Sequence, residues 1–235
     1  MTELLYLNDS YLKEFTATVV GHDLKQNGVV LDRSAFYPGG GGQLPDQGAL
    51  FIGEREYRVT KVRRGSAHII EGELPPTGSA VRGVLDWERR YKIMRTHTAM
   101  HVLCGVVWRD YQASVTGGNM DILAGRMDFE FERLQPEVID EIQKHINHEI
   151  KAARQVRTKI LPREQAFQIP DLIRTKINLL PESITEVRTV EILGLDLQAD
   201  GGTHVANTSE VGNISITKYK SKGGINKRLY VEISD

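Results

Sequence analysis

The sequence has almost no cysteine: Cys104 is the single one among 235 residues. An intramolecular disulfide is therefore excluded, which fits a reducing compartment. Long apolar runs are missing too, and no stretch approaches the roughly 20 residues that a membrane-spanning helix needs. The first ten residues, Met1 to Ser10, have neither the basic start nor the apolar centre of a secretory signal. The expectation is a cytoplasmic protein with no membrane partner. Net charge is nearly absent, at −1. Bulk electrostatics is thus not expected to drive binding, although a local basic patch would suffice for nucleic acid. Repeats and low-complexity tracts are also lacking. What remains, 40% hydrophobic and 26% charged residues, is the composition of a globular protein with room for one large domain or two small ones.

The first part of the chain reads as strands and turns. Thr16–Val20 and Gly28–Asp32 are β-branched runs, Tyr57–Val62 alternates apolar and polar residues, and Ala67–Ile70 does so less cleanly. Glycines punctuate these runs and Gly72–Gly78 reads as a loop, a pattern that suggests a small β-barrel or sandwich. The pattern changes at Asp86, a residue able to cap a helix. Ile93, His97, His101, Cys104 and Trp108 then share one helical face. Ile122–Glu132 ends in strand-like alternation. Pro136 to about Arg154 predicts an amphipathic helix with Ile139, Ile142, Ile146, Ile150 and Ala153 as its buried stripe, and His145 and His148 beside or away from it. Residues 163–175 suggest a second helix interrupted at Pro170. Glu186–Ile192, Gly212–Thr217 and Leu229–Ile233 alternate as strands, so the second part reads as mixed α+β.

Four motifs carry chemistry. His97 and His101, four apart on a helix, can bind one metal ion or serve as hydrogen-bonded core residues. Thr98 stands where a zinc protease has glutamate directly after its first histidine, which argues against that class. In Ala199–Val205, Gly201 and Gly202 allow a tight turn with positive φ that could aim Asp200 and His204 the same way; the alternative is a plain turn with an exposed aspartate. Phe36–Gly48 contains four successive glycines, Gly39 to Gly42, followed by Gln43. It is either a flexible loop or one whose backbone N–H groups approach a ligand. It lacks the Gly-Lys-Ser/Thr ending of a P-loop, so no ATP-binding loop of that kind is expected. Lys218–Arg228 alternates basic residues around Gly223-Gly224. This is a solvated hairpin or a phosphate-backbone contact with Lys220 and Lys222 as binding residues and Tyr219 available for stacking.

Arg89-Arg90-Tyr91, Met94–His101, Gly201–His204 and Phe36–Gly48, in this order, resemble the AlaX family of free-standing alanyl-tRNA editing proteins, in its medium-sized form, along nearly the whole chain. The resemblance implies an α+β protein: an N-terminal β-barrel, residues 1–85, and a two-layer α/β editing domain, residues 86–235. It implies a zinc site of His, His, Cys and His. Three positions match as His97, His101 and His204, while the family's cysteine falls on Asp200. Either Asp200 ligates through oxygen or water takes its place, and a hard carboxylate for a soft thiolate weakens the preference for zinc. Cys104, one turn beyond His101, reads as a core residue. The implied reaction is hydrolysis of serine, with glycine as a second candidate, esterified to tRNA(Ala). Gln43 and Thr116 are the candidate catalytic and hydroxyl-reading residues, and Gly39, Gly40, Gly41, Gly42, Lys220 and Lys222 the substrate-binding ones. The rival readings are another metal-dependent ester or amide hydrolase, and a non-catalytic RNA-binding relative with a decayed metal site.

Overall fold

The computed structural model describes residues 2–63, 67–175, 180 and 183–235. Two compact units emerge, Met1–Lys92 and Ile93–Asp235. No helix among the described residues is long and apolar enough to cross a membrane.

The first unit contains β1 (Glu3–Leu4), β2 (Glu14–Asp23), β3 (Gly28–Leu31), β4 (Arg33–Ser34), β5 (Gly48–Ile52), β6 (Arg55–Arg63), β7 (Ala67–Ile70) and β8 (Ala80–Leu85). Six of these close into an antiparallel barrel in the order β2-β3-β7-β6-β5-β8, with β8 returning to β2. Closure leaves no free edge. Alternate residues fill the interior, among them Phe15, Val19, Val29, Leu31, Leu50, Val59, Val62, Val81 and Leu85. Gly83 lies beneath the Phe15 ring, where an added Cβ would stand 2.4 Å from it.

The glycine-rich segment is ordered rather than loose. Gly39, Gly40, Gly41 and Gly42 all have positive φ, from 58° to 125°, a run that side-chain-bearing residues would resist. Gly40 and Gln43 exchange both main-chain hydrogen bonds, at 3.1 and 2.9 Å. The base of the loop is pinned by a buried ion pair between Arg90 and Asp46, both almost fully buried. Arg90 also donates to the carbonyls of Ser10 and Ala35, and Asp46 accepts the N–H of Tyr37 at 2.6 Å. The remaining lone pairs and protons of the pair are thereby met, which is what makes a buried pair tolerable.

The second unit is built around α1 (Trp87–Tyr111), which begins in the first unit. Asp86 caps it as expected, accepting the N–H of Arg89 at 3.1 Å. After α1 come β9 (Val115–Asp121), β10 (Ala124–Glu130), α2 (Pro136–Lys151), β11 (Val156–Pro162), α3 (Arg163–Ala166), β12 (Glu186–Ile192), β13 (Asp196–Ala199), β14 (Asn213–Ser221) and β15 (Asn226–Ser234). Two antiparallel sheets form, β14-β15-β10-β9 and β11-β12-β13. The helix touches both. Thr96 Oγ1 accepts the N–H of Leu123 at 3.0 Å, and Met100 packs against Gly125. On its other side Gly105 lets the start of β13 come close: a Cβ there would stand 2.9 Å from Leu195 and 3.0 Å from Asp196. Buried Ile139, Ile142, Ile146 and Ile150 make the stripe of α2. Asn147 and Gln143 on the same helix pair with the free backbone edge of β14 at Ile214 and Ile216, which covers an edge that would otherwise be open to pairing.

Two expected elements differ. The helix over 163–175 shrinks to α3, because Pro170 offers no N–H and Asp171 takes φ of +56°, outside the helical region. Ala153 is not on the α2 stripe. It lies past the helix end, exposed, with φ of +50°.

Candidate metal centre

His97 and His101, one turn apart on α1, are both buried. The turn after β13 brings Asp200 and His204 to them. One donor atom from each of His97, His101, Asp200 and His204 lies within 4.8 Å of all the others. The Nε2 atoms of all three histidines face the Asp200 carboxylate, at 3.4 Å for His97, 4.0 Å for His101 and 3.2 Å for His204. A tetrahedral zinc with roughly 2.0–2.2 Å bonds separates its ligand atoms by about 3.3–3.6 Å, so these donors, slightly wider apart, converge on an ion of that size with small side-chain shifts.

Four residues to which the sequence assigned no role at this site hold the arrangement. Asp196, buried on β13, accepts from His101 Nδ1 at 3.0 Å and leaves Nε2 turned inward. Gln198 donates to the same carboxylate at 2.7 Å. Thr98, fully buried, accepts the N–H of Val205 at 3.2 Å and lies 3.4 Å from His204 Nδ1. Arg188 donates to the carbonyls of Asp200 and Gly202, at 3.0 and 2.9 Å. The turn itself corrects the expectation of positive φ: neither Gly201 nor Gly202 has it. Instead the Asp200 carboxylate accepts the N–H of Gly202 at 2.6 Å, an Asx turn. The alternation Asp196, Gln198, Asp200 is the one sequence signal that places these three on a common side of a strand.

Electrostatics sets the charge state of each donor. Burial opposes ionisation of Asp200, but the neighbouring His97 and the hydrogen bonds from His204 and His97 outweigh it and hold its carboxyl well below the usual range. Burial, reinforced by His97, holds His204 well below the ordinary imidazole value, so it is neutral with a lone pair to give. Burial also opposes charge on His101, yet its hydrogen bond to Asp196 prevails and raises it. Burial pushes the Cys104 thiol up, in keeping with a core residue.

A chain with this site and this barrel has informative relatives. The family model described as threonyl and alanyl tRNA synthetase second additional domain matches residues 187–230. That of class II (A) tRNA synthetases matches residues 9–89. The alanyl-tRNA editing protein AlaX-M of Saccharolobus solfataricus is 40% identical over 99% of both chains. Its counterpart from Methanosarcina acetivorans is 37% identical over 100% of both. This chain belongs to the AlaX-M family of alanyl-tRNA editing proteins. The alanine–tRNA ligase of Pyrobaculum neutrophilum is 36% identical over 92% of this chain, which spans 25% of that ligase.

The resemblance to this family also suggested Gln43, Thr116, Lys220 and Lys222. Gln43 is buried in the first unit at the end of its glycine turn. Thr116 is exposed on β9. Lys220 on β14 and Lys222 in the following turn are exposed. Tyr219 does not share a face with Lys218 and Lys220. It pairs with fully buried Leu229, so it points to the opposite side of the sheet.

Proposed function

We propose that this chain is a zinc-dependent trans-editing hydrolase that removes serine, and as a second substrate glycine, from mischarged tRNA(Ala). The observation that carries the reading is the cluster of His97, His101, His204 and Asp200 in a chain of the alanyl-tRNA editing family. In this reading the four residues hold the ion and residues 86–235 are the editing domain, in a cytoplasmic protein. When bound, a zinc ion supplies polarisation of an ester carbonyl and a water acidic enough to ionise near pH 7. The chain's own groups do the rest. Asp196 and Thr98 orient two of the imidazoles, and Arg188 keeps the Asp200–His204 turn closed.

Gly39 to Gly42 and Gln43 are proposed to contact the aminoacyl end, supported by a run of positive φ that only glycine sustains without strain. Thr116 is proposed to read the serine hydroxyl. A site that hydrogen-bonds a hydroxyl can reject the analogue lacking it by roughly 10⁴–10⁵, which would spare alanyl-tRNA and make glycyl-tRNA a far poorer substrate than seryl-tRNA. Lys220 and Lys222 are proposed as tRNA contacts, supported by their exposure.

The experiment is deacylation of seryl-, glycyl- and alanyl-tRNA(Ala), with and without a chelator and with zinc restored. The seryl ester should be cleaved, the alanyl ester spared, and the activity should vanish with the chelator and return with zinc. Hydrolysis indifferent to the chelator, or cleavage of small esters with none of aminoacyl-tRNA, would overturn the reading.

A further inference from the structure

The β14-β15-β10-β9 sheet has one face on α1 and one to solvent. The pairing registers fix what shares the solvent face. One row runs Lys220, Arg228, Asp128, Gly117, and the next runs Lys218, Tyr230, Arg126, Asn119. These eight positions carry four cations against one carboxylate, in a chain whose total is −1. The carboxylate is already used: Arg228 donates to both oxygens of Asp128 at 2.6 and 2.7 Å, which leaves Arg126 only a long 3.9 Å approach to it and Lys218 and Lys220 none. The surplus charge gathers around one aromatic ring. Lys218 Nζ, Lys220 Nζ and the Arg228 guanidinium lie 6.0, 5.6 and 5.9 Å from the Tyr230 centroid. The following row, Ser215, Glu232, Ala124 and Asp121, carries only acidic charge and bounds the patch.

We infer that this face docks RNA, with Tyr230 as a stacking platform for a base and Lys218, Lys220 and Arg126 as contacts to the flanking phosphates. It rests on the tRNA reading of the proposed function, but names a surface and a residue which that reading did not. The chemistry is complementary on each count. Phosphates seek cations that are not consumed by carboxylates. An unpaired base seeks an aromatic face set among positive charges. Gly117 and the exposed Asn119, both on the edge strand β9, leave the approach from that side open.

The probe is uncharged tRNA(Ala) transcript, with binding followed by fluorescence anisotropy between 50 and 200 mM salt. A duplex DNA of equal length serves as a general polyanion. Replacing Lys218, Lys220 and Arg126 together by glutamine should lower the slope of log K against log salt by roughly two to three, about one per cation. Tyr230→Leu should weaken tRNA binding about 5- to 100-fold while Tyr230→Phe retains it, and neither should alter DNA binding as strongly. Melting curves and metal content establish that each variant is folded. Parent-like tRNA affinity and salt slope in the folded triple variant would overturn the proposal, as would equal losses for Tyr230→Phe and Tyr230→Leu. Because the probe is not hydrolysed, this result is independent of whether the chain deacylates.

Discussion

An imidazole can bind an ion through either ring nitrogen, and its other nitrogen's partner decides which is free. For His101 that partner is Asp196, at 3.0 Å and buried. Outer partners of this kind typically contribute 10- to 100-fold in metal affinity. Asp196→Asn should therefore weaken zinc binding by about that factor while keeping all four donors, measured by competition with a chromogenic chelator. Unchanged affinity would mean that His101 needs no such guide. The donors themselves were legible because both pairs are local: four apart on a helix, and four apart across a short turn. Asp196, Thr98 and Arg188 were not. A buried aspartate, threonine or arginine acquires its role only from a partner about a hundred positions away or across a turn, and only the alternation of Asp196 with Gln198 and Asp200 marks one of them in its own neighbourhood. Tyr219 was the reverse case. It was legible as an aromatic among lysines, but a bulge between Ile216 and Lys218 and the register with Leu229 turn it to the other face.

At the scale of elements, α1 and α2 are joined through a buried acid. Glu149 on α2 accepts from Arg109 near the end of α1 at 2.5 Å and from Arg154 just past α2, which itself reaches the carbonyl of Leu193. Burial opposes its ionisation, but the two guanidiniums prevail and hold its carboxyl below the usual value. In the unfolded chain the group titrates near about 4.3. Its contribution is thus complete above that pH and is lost as pH falls through the lower folded value. Glu149→Gln should cost about 3 kcal/mol at pH 7, the low end for breaking a buried pair, since both arginines are partly exposed. The gap to the parent should narrow in thermal melts as pH drops from 7 to 3.5; a constant gap would refute the electrostatic account. Elements like α2 were readable because one face is apolar and the other wet. β11 was not, since almost every residue in it is exposed and no alternation survives. β9 was not either, because Thr116-Gly117-Gly118 carries turn chemistry in a strand whose outward side needs no bulk. Residues 163–175 have helical composition, but Pro170 and the left-handed Asp171 break the ladder.

For the molecule as a whole, the division into Met1–Lys92 and Ile93–Asp235 gives the metal reading a thermodynamic signature. All four donors belong to the second unit, so an ion that binds only the folded site stabilises that unit and has no ligand in the barrel. The stabilisation is RT ln(1 + [L]/Kd), about 2.7 kcal/mol at a free zinc concentration one hundred times Kd. For a unit of this size each kcal/mol raises the melting temperature by about 2–4 °C, so zinc should raise it by about 5–10 °C. Calorimetry of the chelated and zinc-restored protein tests this. If the two units melt separately, one transition should move with zinc and the other should not. His97→Ala should abolish the shift. Asp200→Cys should retain it with a stronger preference for zinc over manganese, because a thiolate is the softer donor. A zinc-dependent shift that survives His97→Ala would place the ion elsewhere in the protein and remove the structural basis for reading this cluster as its binding site.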